Sequence, residues 1–191
     1  MRERRPGCVT MGDKDLVRAA QGGDVAAFGH LYERYFDKVY GYLSFKVGSP
    51  TEAEDLAGQV FLRALEALPT YRWTGTPFQA WLFRIAHNLL VDSLRRHARR
   101  PVEPLDETFP DGARIADPEG WLVEKVTRES LLLAIEHLTD LQRHVITLKF
   151  GAGLSNAEVA VVLGRTEGAV KALQHSGLRS LQRRLAKAVA P

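Results

Sequence analysis

Twenty residues near the middle of the chain constrain its fold most. Residues 101–120 hold four of the nine prolines, together with Glu103, Asp106, Glu107, Asp111, Asp117 and Glu119 against the single base Arg114. Proline removes a backbone donor and fixes φ, and the stretch has no sustained apolar period, so it reads as a linker. It separates two unlike parts. Thirteen of the 16 aromatic residues lie before position 99, and only Trp121 and Phe150 follow the linker. The expected organisation is an N-terminal tail (1–12), a first domain (13–100), the linker (101–120) and a second domain (121–191).

Both flanking parts read as helix, and no segment alternates with period two. Asp13 is expected to cap a short first helix that ends at Gly22-Gly23. Asp24 caps the next, with Phe28, Leu31, Tyr32, Tyr35, Val39 and Tyr42 at helical spacing. Thr51-Glu-Ala-Glu54 has the form of a capping box opening a helix to about Leu68. Thr76-Pro77 places a cap before a proline at the first position of a helix running to about Arg99. Beyond the linker, helices are expected over roughly 119–137 and 140–150. A capping box at Ser155 to Glu158 opens a short helix to Leu163, and Thr166 caps the last helix. The fold class is therefore all-α, two small helical domains joined by the acidic Pro-rich linker.

Several function classes drop out. One cysteine, Cys8, can form neither an intrachain disulfide nor a Cys-based zinc site, and its place near the terminus suggests no role. The longest aliphatic runs, 131–135 and 159–163, fall far short of the ~18 residues of a membrane span. No apolar stretch follows the charged N-terminus, so a signal peptide is not expected and a cytoplasmic location is. Met11 is a second candidate start. Histidines 30, 87, 97, 137, 144 and 175 show no paired ligand spacing, and no phosphate-cradling glycine loop is present. No enzyme, cofactor or metal is expected.

The sharpest motif is residues 155–181, two helices joined by Gly164-Arg165-Thr166. Ala160 is small where the helices must cross, and Gly164 suits the left-handed turn. Val159, Leu163, Val170 and Leu173 would fill the core between them. On a helical wheel Val170, Leu173, Gly177 and Leu181 share one side, while Gly168, Lys171, Ala172, His175 and Arg179 share the other. Small and basic residues on an outer face suit a helix entering the major groove. From 155 to 191, six Lys/Arg face two Glu, a net +4 that suits phosphate contact. Glu167 could cap the helix or accept from a cytosine amino group.

Two further faces stand out. The helix from Thr51 has a buried stripe of Ala53, Leu56, Ala57, Val60, Phe61, Ala64 and Leu68. Its opposite stripe is Glu52, Asp55, Gln59, Leu62 and Glu66, either a solvated acidic face with a stray leucine or a docking surface anchored by Leu62. The helix from Pro77 turns Phe78, Trp81, Leu82, Ile85 and Leu89 inward and carries a polar stripe of Arg84, Asn88, Arg95 and Arg99. Before it lie Tyr71, Arg72, Trp73 and Thr74. Aromatics beside arginines suit single-stranded nucleic acid, where bases stack on rings. Either ring could equally cap the core.

Taken together, the Glu-Ala-Glu-Asp-Leu helix, the run from Trp81 to Asn88 with Asp92 and Arg95, the acidic linker and the helix-turn-helix from Gly164 to Lys171 resemble the extracytoplasmic-function (ECF) sigma factors of the sigma-70 family. The resemblance spans residues 13 to about 187. It implies a bacterial transcription initiation factor whose first domain docks on the β′ clamp helices of core RNA polymerase and melts the −10 element, and whose second reads the −35 element and contacts the β flap. It implies core contacts at Glu52, Asp55, Gln59, Leu62 and Glu66, and −10 contacts at Tyr71, Arg72, Trp73, Thr74, Arg84, Asn88, Arg95 and Arg99. For the −35 element it implies Arg165, Thr166, Glu167, Gly168, Lys171, His175 and Arg179. An anti-sigma factor is a further partner the resemblance allows. Gly58-Gln59 departs from the Gln-Glu usual in the family, and Ala172 and Gln174 replace more polar residues, so the −35 sequence does not transfer. The rival reading is a stand-alone regulator with a LuxR-type helix-turn-helix, which residues 138–181 alone would fit.

Overall fold

A computed structural model describes residues 11–47, 49–73, 75–98 and 130–189. The N-terminal residues with Cys8, then Thr74, Arg99, the linker 101–120 and the first half of the helix expected over 119–137 lie outside the described residues. All regular structure among the described residues is helical: α1 (Asp13–Gln21), α2 (Val25–Ser44), α3 (Pro50–Ala67), a 3₁₀ turn (Leu68–Thr70), α4 (Phe78–Ala98), α5 (residues 130–136), α6 (Asp140–Ile146), a π-helical turn (Thr147–Gly151), α7 (Asn156–Leu163) and α8 (Glu167–Val189).

Local chemistry sets most helix ends. Asp24 Oδ1 accepts from the amides of Ala26 (2.9 Å) and Ala27 (3.1 Å), covering two donors that the first turn of α2 leaves unpaired. Ser155 and Glu158 form the reciprocal capping box of α7. Thr139 and Gln142 form another at α6. Gly164 ends α7 in the left-handed conformation, φ 61° and ψ 39°, which costs glycine nothing. Thr166 Oγ1 accepts from the amide of Ala169 and caps α8.

Three expected caps differ. Asp13 does not cap α1. The N-cap is Gly12, and the Asp13 carboxylate instead accepts from the Tyr35 hydroxyl and from Arg34 at 2.5 Å, tying α1 to α2. Two cross-helix partners, one cationic, outbid a local amide. The box at Thr51 is replaced by Ser49, whose hydroxyl accepts from Glu52 N, with Pro50 at the first position. The next helix begins one residue late, at Phe78, and the Pro77 carbonyl accepts its first intrahelical bond from Trp81 N.

The buried stripe expected on α3 is fully buried, and on α4 Phe78 and Leu82 are too, with Trp81, Ile85 and Leu89 partly covered. Aromatic rings knit α1–α4 together. Tyr32 packs on Phe36 and Phe61, and Tyr71, Phe78 and Trp81 pack on one another. In α5–α8 aliphatic residues do this work, and α8 crosses α6 so closely that a Cβ on Gly177 would lie 3.2 Å from Ile146 Cγ1.

The two groups of helices are not held apart. α4 packs against both α3 and α7, and α2 against the π-helical turn. The core of α1–α4 runs on without a break into Val145, Leu148, Leu154, Val159, Val162 and Val170. Phe83, Ala86 and Leu90, outside the expected inward stripe, are fully buried, more so than Trp81, Ile85 and Leu89 within it. A helix covered on two sides needs apolar residues on both. Polar ties cross the same boundary: Gln79 Nε2 donates to the Ala152 carbonyl (2.7 Å), Lys46 pairs with Asp140 (2.5 Å), and the Tyr42 hydroxyl lies between His87 and His144.

Candidate nucleic-acid interface

The helix-turn-helix takes the expected form. Val159 and Val170 are fully buried between α7 and α8, with Leu163 and Leu173 packed against them. Gly177 and Leu181 face inward beside Ile146. Arg165, Thr166, Glu167, Gly168, Lys171, His175 and Arg179 are all exposed, so the outer face of α8 is open from Glu167 to Arg179. Glu167 pairs with Lys171 at 2.9 Å across one turn, both side chains about half exposed. An exposed i,i+4 pair is worth a few tenths of a kcal/mol, so it preorders the Lys171 ammonium at little cost to a phosphate contact.

On α4, Arg84, Asn88 and Arg95 are exposed and line one cleft with His87 and Asp92. The opposite wall is the end of α7, Val161 to Gly164. The basic stripe of the first helical group and the turn of the helix-turn-helix thus share a single cleft.

The two rings of the loop after α3 part company. Tyr71 is only 8% exposed, edge-on to Trp73 and Phe78, and its hydroxyl donates to the Thr76 carbonyl at 2.8 Å. Burial, with a smaller effect of the Asp13 charge, pushes its hydroxyl up to about 12. Tyr71 is a core residue that latches the loop, and it offers no face to a base. Trp73 is 40% exposed and rests on Tyr71, so of the two rings it is Trp73 that keeps a face open, beside the exposed Arg72. Gln21, at the end of α1, holds the loop from behind, its amide donating to the carbonyls of Leu68 (2.9 Å) and Tyr71 (2.8 Å).

On α3, Asp55, Gln59, Leu62 and Glu66 are exposed, Leu62 to 57%. Leu65, outside the expected stripe, is also 48% exposed and widens the apolar patch. Glu52 differs, because its carboxylate accepts from Ser93 Oγ (3.0 Å) and lies 3.4 Å from His97 Nδ1, both on α4. It braces α3 against α4. No group of three or more His, Cys, Asp or Glu suited to a metal occurs among the described residues, and no described helix is long and apolar enough to cross a membrane.

Comparison with known proteins fits this geometry. Residues 31–100 match the model of sigma-70 region 2, and residues 128–181 match that of sigma-70 region 4. The chain is 36% identical over 174 residues to the ECF RNA polymerase sigma factor SigD of Mycobacterium tuberculosis, covering 87% of this chain and 81% of SigD, and 40% identical over 171 residues to the ECF RNA polymerase sigma factor BldN of Streptomyces coelicolor. The chain belongs to the ECF sigma factors of the sigma-70 family.

That alignment covers 90% of this chain and 65% of the Streptomyces relative, so the chain spans just under two thirds of that protein's length. Among solved structures, CnrH in complex with the cytosolic domain of CnrY superposes with a TM-score of 0.69 at 26% identity, over 93% of this chain and 99% of CnrH. A LuxR-type regulator has no place for a region 2 across residues 31–100, so that rival reading falls away.

Proposed function

We propose that this ECF sigma factor directs promoter-specific initiation by core RNA polymerase in the bacterial cytoplasm, without catalytic chemistry of its own. The observation that carries the reading is the order of exposed faces within the two matched regions. An acidic, leucine-bearing face on α3 comes first, then a tryptophan loop and arginine stripe, then the basic outer face of α8.

In this reading Asp55, Gln59, Leu62 and Glu66, with Glu52 as a brace, meet the β′ clamp helices. Arg72, Trp73, Thr74, Arg84, Asn88, Arg95 and Arg99 meet the −10 strand, over a loop that Tyr71 supports. Arg165, Thr166, Glu167, Gly168, Lys171, His175 and Arg179 meet the −35 duplex. Domains 13–100 and 121–191 act as the two readers, and the linker 101–120 passes between them. Opening the duplex costs about 1.4 kcal/mol of stacking per step, and an extruded base gains a ring to stack on at Trp73. Two weak readers on one polymerase act at high effective concentration, so the free factor binds promoter poorly. An anti-sigma factor that covers these faces is the expected regulator. The structural neighbour CnrH is itself held in complex with the cytosolic domain of a second protein, CnrY, which supports a protein partner for this chain.

Run-off transcription over a pool of promoter fragments, with purified core polymerase and this protein, tests the proposal. New start sites that require both components are expected. A duplex shift by the protein alone, with no core-dependent initiation, would overturn it. At the residue level, Asp55→Ala with Leu62→Ala is expected to lower core binding by at least a hundredfold with unchanged helix content. Undiminished binding would make α3 a merely solvated face.

A further inference from the structure

The boundary between the two helical groups contains a polar cluster, Tyr42 and His144 buried and His87 half-buried, that lies outside the proposed promoter contacts. The Tyr42 hydroxyl, on a residue 3% exposed, lies 2.9 Å from His87 Nδ1 on α4 and 3.0 Å from His144 Nδ1 on α6. The two imidazoles meet edge to face with centroids 4.9 Å apart. One hydroxyl can donate to one ring nitrogen and accept from the other, so the cluster is satisfied when both rings are neutral and carry complementary tautomers. A proton on the accepting ring leaves the buried Tyr42 hydroxyl with no acceptor on either ring. A second proton places two cations in ring contact.

The surroundings do not offset this. Lys46, Arg143 and Asp140 face His144, and the lone carboxylate is already paired with Lys46 at 2.5 Å. His87 lines the α4–α7 cleft with Arg84, Arg95 and Asp92, while the α7 wall from Val161 to Gly164 carries no charge. We infer that Tyr42, His87 and His144 form a proton-sensitive clasp, which holds the two helical groups together while both imidazoles are neutral and lets them part on acidification.

Burial, then the neighbouring His87 and Lys46, holds His144 down at about 4, and burial holds His87 below the ordinary value. In the parted form both rings would titrate near ~6.5. The parted form therefore binds more protons below that value, and the clasp weakens as pH falls from ~6.5 towards about 4. For His144 alone the parted-to-closed ratio should rise about 30-fold between roughly pH 7.5 and 5.0. On the proposed function this exposes the shared cleft.

The test is the reactivity of a cysteine at the buried position 162, as Val162→Cys with Cys8→Ser in the full chain. Dithiodipyridine would probe it from about pH 7.5 to 5.0, with rates normalised to a free thiol. The expected result is a rise of about 30-fold or more, abolished by His87→Gln with His144→Gln while helix content by circular dichroism holds. A flat profile in the parent, or the same rise in the double variant, overturns the clasp. Should the double variant misfold, imidazole titration by NMR in the unaltered chain decides. Both rings titrating below ~6.5, together with loss of contacts between α4 and α7, supports the clasp; titration at ~6.5 with those contacts intact overturns it. None of these readouts depends on transcription, so a failed clasp leaves the proposed function standing.

Discussion

α1–α4 and α5–α8 are both helical, but they are stabilised by different means. In the first group rings do the filling, with Phe78 fully buried among Tyr35, Tyr71 and Trp81. In the second the core is valine, leucine and isoleucine, and order comes from two capping boxes, a left-handed glycine and one tight helix crossing. A large ring concentrates burial in one residue. A cap or a crossing glycine concentrates geometry in one residue and contributes little area. The first group should therefore fail by loss of volume, and the second by gain of volume or loss of a cap.

Substitutions can break that contrast. Phe78→Ala should cost about 3–5 kcal/mol in denaturant unfolding, the largest single effect expected. A cost under ~1 kcal/mol would mean the rings around it do not form one packed unit. Gly177→Val should cost about 1–3 kcal/mol, because α8 must move off Ile146 to admit the side chain. Ser155→Ala removes the cap of α7 and should cost about 1 kcal/mol, measured with the same denaturant. Lys171→Ala should change stability by less than ~0.5 kcal/mol, yet lower the salt slope of promoter binding by about one. An unchanged slope would remove Lys171 from the phosphate contacts.

What the sequence disclosed follows the range of the interaction concerned. Ser155 with Glu158, Thr166 with Ala169 and the Gly164 turn all lie within five residues, and each is as expected. The α3 stripe and the outer face of α8 were legible because periodicity alone decides which side of a helix is buried. Asp13 was misread because its partners, Arg34 and Tyr35, lie more than twenty residues away. Tyr71 was ambiguous for a related reason. Composition marks a ring beside an arginine, but only packing says that Tyr71 goes under and Trp73 stays out. Glu52 carried the right charge for a docking face, and its bond to Ser93 crosses 41 positions. The His87–His144 pair left no trace at all, since ligand-like spacing cannot flag two rings 57 residues apart.

Gln21 has a kinetic consequence. Its amide fixes the carbonyls of Leu68 and Tyr71, so the backbone leading into Trp73 is set before any nucleic acid arrives. A loose loop would have to find its bound shape during each encounter, and many encounters would end first. With the loop fixed from behind, the protein's own search drops out of the rate of proposed base capture. What remains is the breathing of the duplex, so weakly stacked steps would be caught sooner than strong ones through timing alone.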